Sequence, residues 1–114
     1  AAYFLSKLPD DGVPPWDFLA PGPGQPKDSS AGAIASYGLQ RLFDVTGHRP
    51  YLQAAQMLLE RLARTCANTG SQGGLLLHAT ADMPHGRGID ESTIYGDYYY
   101  LKSLVSLGRR LRTP

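Results

Sequence analysis

The sequence has a single cysteine, almost no net charge and no long apolar run. Cys66 cannot form an intrachain disulfide, which fits a reducing compartment. Eleven basic residues against ten acidic ones leave a net charge of +1, so neither nucleic acid nor an anionic membrane surface is expected as a partner. No stretch approaches the roughly 20 apolar residues needed to cross a bilayer. The 42% apolar and 18% charged residues are typical of a folded globular domain.

Common catalytic motifs are also missing, since there is no nucleophile elbow, phosphate-binding loop or HExxH sequence. His78, Asp82 and His85 are potential metal ligands by type, but their spacing matches no compact metal motif. Metal binding is therefore not predicted. Cys66 lies on the apolar stripe of a predicted helix, which favours a buried, inert thiol over a nucleophile.

Residue periodicity predicts helices separated by two long loops. The end of a helix is predicted over residues 1–8, before Pro9, and its uncapped start suggests that the chain is a fragment. A second helix follows residues 28–30, any of which is a suitable N-cap, and ends at Gly47. Along it, apolar and small residues recur at three- and four-residue steps: Ala31, Ile34, Ala35, Gly38, Leu42 and Val45.

The second helix is followed by a short turn and a third helix, with Pro50 in its first turn. The third helix has a clear apolar stripe: Tyr51, Ala55, Leu58, Leu59, Leu62 and Cys66. The pair predicts an antiparallel helical hairpin, which buries one face by itself and usually stacks beside similar hairpins. A last helix is predicted from near Asp97, with its apolar face formed by Tyr100, Leu104, Leu107 and Leu111.

The two long loops carry residues suited to binding a polar ligand. The first, residues 9–27, is rich in proline and glycine and contains Trp16-Asp17-Phe18, in which two aromatic residues flank a carboxylate. The second, residues 68–88, surrounds the run Leu75-Leu76-Leu77, which allows a short β-hairpin. Trp16 either stacks on a sugar or fills the edge of the core, and Asp28 either accepts from sugar hydroxyls or caps a helix.

The second loop contributes three more candidates. His78, His85 and Arg87 are either donors to the carboxylate or sulfate of an acidic sugar, or solvated loop residues. A tyrosine-rich segment, residues 94–101, surrounds Asp97 at the predicted start of the last helix. Its tyrosines and Asp97 either line a ligand pocket or have a structural role, in which Asp97 caps the helix and the tyrosines fill gaps between helices. The structural role is favoured.

Two stretches of the sequence resemble the unsaturated glucuronyl hydrolases of glycoside hydrolase family 88. Residues 11–18, then Pro21 and residues 28–31, resemble that family's "DGV..WDF..P…DSSA" passage. Residues 94–101 resemble its "IWGDYYYLEAL" signature with Tyr95 in place of Trp, and Gly74-Leu75-Leu76 with His78 matches a "GLL.H" step. The resemblance implies an all-α fold in which residues 1–114 form the C-terminal segment, the last third, of one (α/α)6 toroid of helical hairpins.

The resemblance also implies an activity for the intact protein. Family members act on unsaturated oligosaccharides left by polysaccharide lyases and hydrate the C4=C5 double bond with an Asp as general acid and base. No metal or organic cofactor is required. The essential aspartates lie upstream of the region matched here, so no catalytic residue is assigned and the segment alone is expected to be inactive. Trp16, Asp28, His78, His85 and Arg87 are the expected substrate-binding residues.

The family further implies that the partners are an unsaturated uronic-acid oligosaccharide and the missing N-terminal part of the same domain, and that the protein acts in the cytoplasm. Two alternatives stay open. An unsaturated rhamnogalacturonyl hydrolase would share the fold and similar chemistry, although its last signature usually reads "WGQG". A helical-repeat interaction module would use the tyrosines and Trp16 as a partner surface.

Overall fold

The computed structural model describes residues 1–70 and 73–112, and these residues form four α-helices joined by loops. They are α1 (Ala2–Ser6), α2 (Ser29–Thr46), α3 (Arg49–Thr65) and α4 (Ile94–Arg112). The predicted all-α class is therefore confirmed. None of the helices in these two ranges is long and apolar enough to cross a membrane.

Helices α2 and α3 form the predicted antiparallel hairpin. Gly47 ends α2 with a φ of 69°, a left-handed conformation that glycine adopts without steric cost, and its N–H donates to the carbonyl of Phe43. Pro50 lies in the first turn of α3, where its missing N–H costs nothing. The Ser36 hydroxyl donates to the carbonyl of Ala55 at 2.9 Å, which joins the two helices near their middle.

Helix α4 packs on the other side of α2 and runs in the same direction. The Ser103 hydroxyl donates to the Ala33 carbonyl at 3.0 Å, and the Gln40 side chain donates to the Ser103 carbonyl at 3.1 Å. Further along both helices, Arg110 binds Asp44. Since α2 packs extensively against both α3 and α4, which barely touch each other, α2 is the central helix of the structure. Alternate helices of successive hairpins lie parallel in this way when they belong to one layer.

The core lies where α2 and α3 meet the loops. One cluster of buried residues consists of Val13, Ala33, Leu59, Leu62, Cys66, Leu76 and Tyr100, and a second of Leu39, Ala55 and Leu58. The predicted stripe of α3 is confirmed, apart from Tyr51, which is only half-buried. Leu58 and Leu62 are fully buried, and each contributes about 1.5–3 kcal/mol through removal of apolar surface from water. Cys66 is buried as predicted, and burial raises the pKa of its thiol.

The periodicity of α2 correctly predicts a helix, but its periodic apolar residues are not the face that is buried in this segment. Ile34 and Val45 are 42% and 82% exposed, and Leu42 is exposed as well. The buried residues of α2 lie on another face and are mostly small: Ser29, Ser30, Gly32, Ala33, Ser36, Leu39 and Gln40. Because α2 lies between two helices, small residues let both approach closely, and the buried hydroxyls are satisfied by hydrogen bonds. Burial on α2 therefore follows the proximity of its neighbours more than hydrophobicity.

Helix α4 also differs from its prediction. It begins at Ile94, three residues before Asp97, and the Gly96 N–H donates to the Thr93 hydroxyl at 3.0 Å in the manner of an N-cap bond. The predicted apolar face is only partly buried, because Tyr100 is buried and Leu107 half-buried, whereas Leu104 and Leu111 are 38% and 69% exposed.

The short strand predicted at Leu75-Leu76-Leu77 is reduced to one isolated bridge between Leu76 and Ala67. Among the described residues an antiparallel arrangement forms later, between residues 79–82 and 87–91, where Ala79 pairs with Glu91 and Asp82 with Arg87. The two pairs are separate bridges, so they do not make a continuous β-hairpin.

Candidate functional site

Both long loops lie at the end of the structure where α2 and α4 begin and α3 ends. The Leu77 N–H donates to the carbonyl of Cys66, which is the C-cap residue of α3. The Ser29 N–H, at the start of α2, donates to the carbonyl of His78 at 2.9 Å. This end of the structure therefore gathers the loop residues that the sequence pointed to.

The first loop closes on itself, so the backbone segments that carry Trp16 and Asp28 pair with each other. The backbone N–H of Trp16 donates to the Pro26 carbonyl at 2.9 Å, and the backbone N–H of Asp28 donates to the Pro14 carbonyl at 2.8 Å. The indole of Trp16 is half-buried, and its N–H donates to the side-chain carbonyl of Gln25 at 2.8 Å. An indole fixed in this way keeps a partly exposed ring that is suited to stacking.

Asp28 is the N-cap residue of α2, within the range 28–30 expected from the sequence. Its carboxylate makes no hydrogen bond to the helix backbone, so the alternative in which this side chain caps the helix is wrong. One carboxylate oxygen instead accepts from the Ser30 hydroxyl at 2.5 Å and from the Thr80 N–H at 3.2 Å. The Thr80 hydroxyl donates to the Lys27 carbonyl at 2.7 Å. Asp28 therefore ties the start of α2 to the second loop.

The backbone carbonyl of His78 accepts from the residue after Asp28, and the side chain of His78 pairs with Asp90. Its Nδ1 is 2.6 Å from an oxygen of Asp90. Both residues have a positive φ, 64° for His78 and 56° for Asp90, and they are the two non-glycine residues with this conformation in the described part of the chain. Asp90 was missed from the sequence because the two residues are twelve positions apart.

The remaining candidates lie on a segment that we call the loop arm, residues 79–91. At its base Ala79 and Glu91 exchange two backbone hydrogen bonds of 2.7 and 2.8 Å. At its tip the backbones of Asp82 and Arg87 pair, and the ring of His85 contacts the Asp82 carboxylate at 2.9 Å. His85 and Arg87 are exposed at this tip, separated along the arm from Asp28 and His78. Backbone hydrogen bonds thus connect the segments that carry Trp16, Asp28 and His78, whereas His85 and Arg87 lie at the tip of the loop arm.

Asp97 has a role that the sequence did not indicate. Its carboxylate accepts from the Leu76 N–H at 3.0 Å, and the Ser92 hydroxyl donates to the Leu76 carbonyl at 2.8 Å. Gly74 passes so close to Ser92 that a Cβ on Gly74 would overlap the serine side chain. Asp97 therefore anchors the second loop on α4.

The two motifs that carried the family resemblance meet in space. A Cβ on Gly96, in the second motif, would lie 3.0 Å from the Cβ of Ser30, in the first. Gly96 is buried, and a larger residue there would separate the starts of α2 and α4. This contact positions the end of the structure on which the loops converge.

Among residues 1–70 and 73–112, no group of three or more His, Cys, Asp and Glu side chains could hold a metal ion.

A cleft of the described structure lies away from the candidate residues. It has a volume of about 1150 Å³ and lies between the second half of α2, the start of α3 and α4, and none of the five candidate residues lines it. In this cleft Lys102 lies over the ring of Tyr37, and a hydrogen bond to the Tyr98 hydroxyl raises the pKa of Lys102.

Comparison with known proteins identifies relatives that contain this segment. The chain matches no family model. It is 37% identical over 111 residues to an unsaturated chondroitin disaccharide hydrolase of Streptococcus agalactiae, and the match covers 90% of this chain and 28% of that protein. It is 40% identical over 101 residues to an unsaturated glucuronyl hydrolase of Formosa agariphila, and the match covers 85% of this chain and 25% of that protein.

Solved structures agree with these relatives. The fold matches the crystal structure of an unsaturated glucuronyl hydrolase from a Bacillus species with a TM-score of 0.90 and 32% identity, over 96% of this chain and 31% of that one. It also matches a variant of the Streptococcus agalactiae enzyme complexed with dGlcA-GalNAc6S, with a TM-score of 0.84 and 36% identity over 91% of this chain and 30% of that one. The chain therefore spans less than a third of the length of these relatives.

Proposed function

We propose, on the premise that this chain is homologous to part of the unsaturated glucuronyl hydrolases, that it forms the C-terminal arc of such an enzyme and contributes part of its substrate site. The observation that carries the proposal is the match in both sequence and structure, at a TM-score of 0.90 over 96% of the chain. The whole of residues 1–114 is assigned to one (α/α)6 catalytic domain. The missing remainder of that domain is the first partner of this segment.

The packing of the helices supports an arc rather than a closed unit. Helices α2 and α4 run parallel with α3 antiparallel beside them, which is the arrangement of alternating helices in a ring of hairpins. Large apolar side chains of α2 and α4 stay exposed in the described structure, among them Ile34, Val45, Leu101, Val105 and Leu111. Exposed apolar surface of this kind marks a protein interface. In the intact domain it would pack against the neighbouring hairpins.

The substrate proposed is an oligosaccharide with an unsaturated uronate at its end. Trp16 offers a partly exposed indole face for a sugar ring, and Asp28 and His78 are held at the start of α2 by backbone hydrogen bonds of the same two loops. His85 and Arg87 stand at the exposed tip of the loop arm, where they would contact a group further from the reacting sugar. The binding of dGlcA-GalNAc6S by a relative supports this class of ligand.

The chemistry proposed is hydration of the C4=C5 double bond, in which an Asp of the missing part protonates C4 and activates water towards C5. This segment then supplies binding and positioning groups and no catalytic acid. The reaction needs no metal or organic cofactor, and the proposed location is the cytoplasm. The relatives' names favour glucuronyl over rhamnogalacturonyl substrates.

A graft tests the proposal. In the Streptococcus agalactiae relative, the matching 28% is replaced by this chain, and the control is the same relative truncated before that segment. We expect the graft, but neither the truncated relative nor the isolated chain, to remove the ultraviolet absorbance of the double bond in dGlcA-GalNAc6S. Activity of the isolated chain would contradict the proposal. A monomeric, folded graft that binds no disaccharide would also contradict it and favour an interaction module.

A further inference from the structure

The pair His78–Asp90 carries an inference about how the substrate site is organised. The ring nitrogen Nδ1 of His78 lies 2.6 Å from an oxygen of Asp90. An ionised carboxylate can only accept a hydrogen bond, so Nδ1 must carry the proton. The tautomer of the ring is thereby set, and Nε2 becomes the nitrogen available to another partner. Among the described residues, no hydrogen bond is made to Nε2.

The backbone around this pair is unusual at both of its residues. His78 and Asp90 have φ values of 64° and 56°, and no other non-glycine residue of the described chain has a positive φ. Residues other than glycine adopt this conformation at an energetic cost, although Asn, Asp and His tolerate it best. The joining of two such residues by one short side-chain contact indicates that the contact is maintained against local strain.

Attachment of the loop arm alone does not require this pair. Ala79 and Glu91, the neighbours of His78 and Asp90, already exchange two backbone hydrogen bonds at the base of the arm. The side-chain pair adds a fixed orientation of the imidazole, whose side chain is 45% exposed. The carbonyl of His78 also accepts from the Ser29 N–H, which places the residue next to Asp28 at the start of α2.

We propose that Asp90 is a positioning residue that holds the imidazole of His78 in the Nδ1–H form, so that Nε2 is presented to the bound sugar. A neutral ring accepts a hydrogen bond from a sugar hydroxyl at Nε2, and a protonated ring donates one to a carboxylate. Asp90 acts only through His78 and touches no sugar itself. The inference rests on the proposed function for the identity of the ligand, but the pairing is a property of the chain.

Substitutions that tolerate a positive φ allow a sharp test. Asp90→Gly keeps the backbone conformation and removes the acceptor, whereas Asp90→Asn keeps both the conformation and a neutral acceptor oxygen. His78→Asn keeps the conformation and removes the ring. These variants separate the side-chain contact from the shape of the loop, and Asp90→Asn serves as the conservative rescue.

The first measurement is independent of activity. The chain contains three histidines, so histidine-selective ¹⁵N labelling gives few imidazole signals, and His78→Asn assigns those of His78. At a pH where the ring is neutral, we expect protonated Nδ1 and unprotonated Nε2 in the unchanged chain and in Asp90→Asn. Asp90→Gly is expected to give a mixture of tautomers. An Nε2–H form in the unchanged chain would overturn the inference, whatever the activity.

The second measurement uses the grafted enzyme with dGlcA-GalNAc6S. Asp90→Gly should raise KM about tenfold with little change in kcat, as for loss of one oriented hydrogen bond, and Asp90→Asn should restore most of the affinity. In the His78→Asn background, Asp90→Gly should raise KM no further. A further rise would show that Asp90 acts without His78 and would overturn the positioning role. A folded, monomeric graft with unchanged residues that stays inactive would contradict the proposed function, while the tautomer result would still decide the pairing.

Discussion

The close approach of α2 and α4 at Gly96 leads to a prediction with a matched control in the same helix. In Gly96→Ala the added Cβ would lie 2.6 Å from the Thr93 hydroxyl oxygen and 3.0 Å from the Cβ of Ser30. Thr93 would have to give up its hydrogen bond to the Gly96 N–H, and α2 would have to move. In Gly108→Ala, by contrast, the added Cβ meets nothing within 4 Å.

The two substitutions should change stability in opposite directions. Alanine is favoured over glycine within a helix by up to about 1 kcal/mol, and Gly108→Ala should gain most of this. At Gly96, crowding costs about 1–3 kcal/mol and loss of the cap bond about 1 kcal/mol more. The propensity gain offsets only part of these costs, so Gly96→Ala should lower the free energy of unfolding by about 2 kcal/mol.

Urea denaturation followed by far-ultraviolet circular dichroism would measure both changes. A Ser30→Gly background supplies a second control, because removing the Ser30 Cβ should reduce the cost of Gly96→Ala. Equal stabilisation by Gly96→Ala and Gly108→Ala would refute the close contact of the helix starts. The two motifs would then have no steric reason to require glycine where they meet.

Three further predictions concern the loop anchor, the ion pair and the exposed face. Asp97→Ala should greatly speed hydrogen exchange of the Leu76 amide, since the acceptor of that amide is lost, and Asp97→Asn should speed it much less. Equal exchange rates in the two variants would show that Asp97 does not anchor the second loop. The hydrogen bond from Arg110 lowers the pKa of Asp44 below its ordinary value, so the ion pair stabilises the fold above about pH 4 and this contribution is lost as the pH falls further. Asp44→Asn should accordingly reduce the free energy of unfolding by about 0.5–1 kcal/mol at pH 7, and the difference should shrink as the pH falls below about 4; a difference that does not change on acidification would argue against the pair. The isolated chain should self-associate in analytical ultracentrifugation, and Leu101→Lys should weaken this because Leu101 is 53% exposed; an unchanged chain that stays monomeric would refute the interface assignment.

Predictions from the sequence succeeded where local chemistry decides the conformation. Gly47 ends α2 because it accepts a left-handed conformation, and Pro50 begins α3 because no N–H is needed there. The stripe of α3, which buries Leu58, Leu59 and Leu62, follows helical periodicity because this helix buries one apolar side. The motifs in residues 11–31 and 94–101 were likewise enough to indicate the family.

Predictions failed where a residue's environment depends on distant parts of the chain. Asp97, on α4, was interpreted as a pocket residue or a helix cap, yet its carboxylate accepts a hydrogen bond from the backbone of Leu76, 21 positions earlier. The pairing of His78 with Asp90 depends on the path of the loop arm, which neither residue determines alone. The five candidate binding residues remain predictions, and backbone hydrogen bonds connect the segments that carry three of them, Trp16, Asp28 and His78.

The sequence by itself determined which segments are helical, where α2 ends and α3 begins, and to which proteins the chain is similar, because caps, turns and short motifs are local properties. Only the tertiary structure decided which side of α2 is buried. Ile34 and Val45 are more hydrophobic than Ser30 and Ser36, yet they are the exposed ones, because two neighbouring helices approach where the side chains are small. That choice depends on interhelical distance and on hydrogen bonds between distant segments, which no periodicity along a single helix contains.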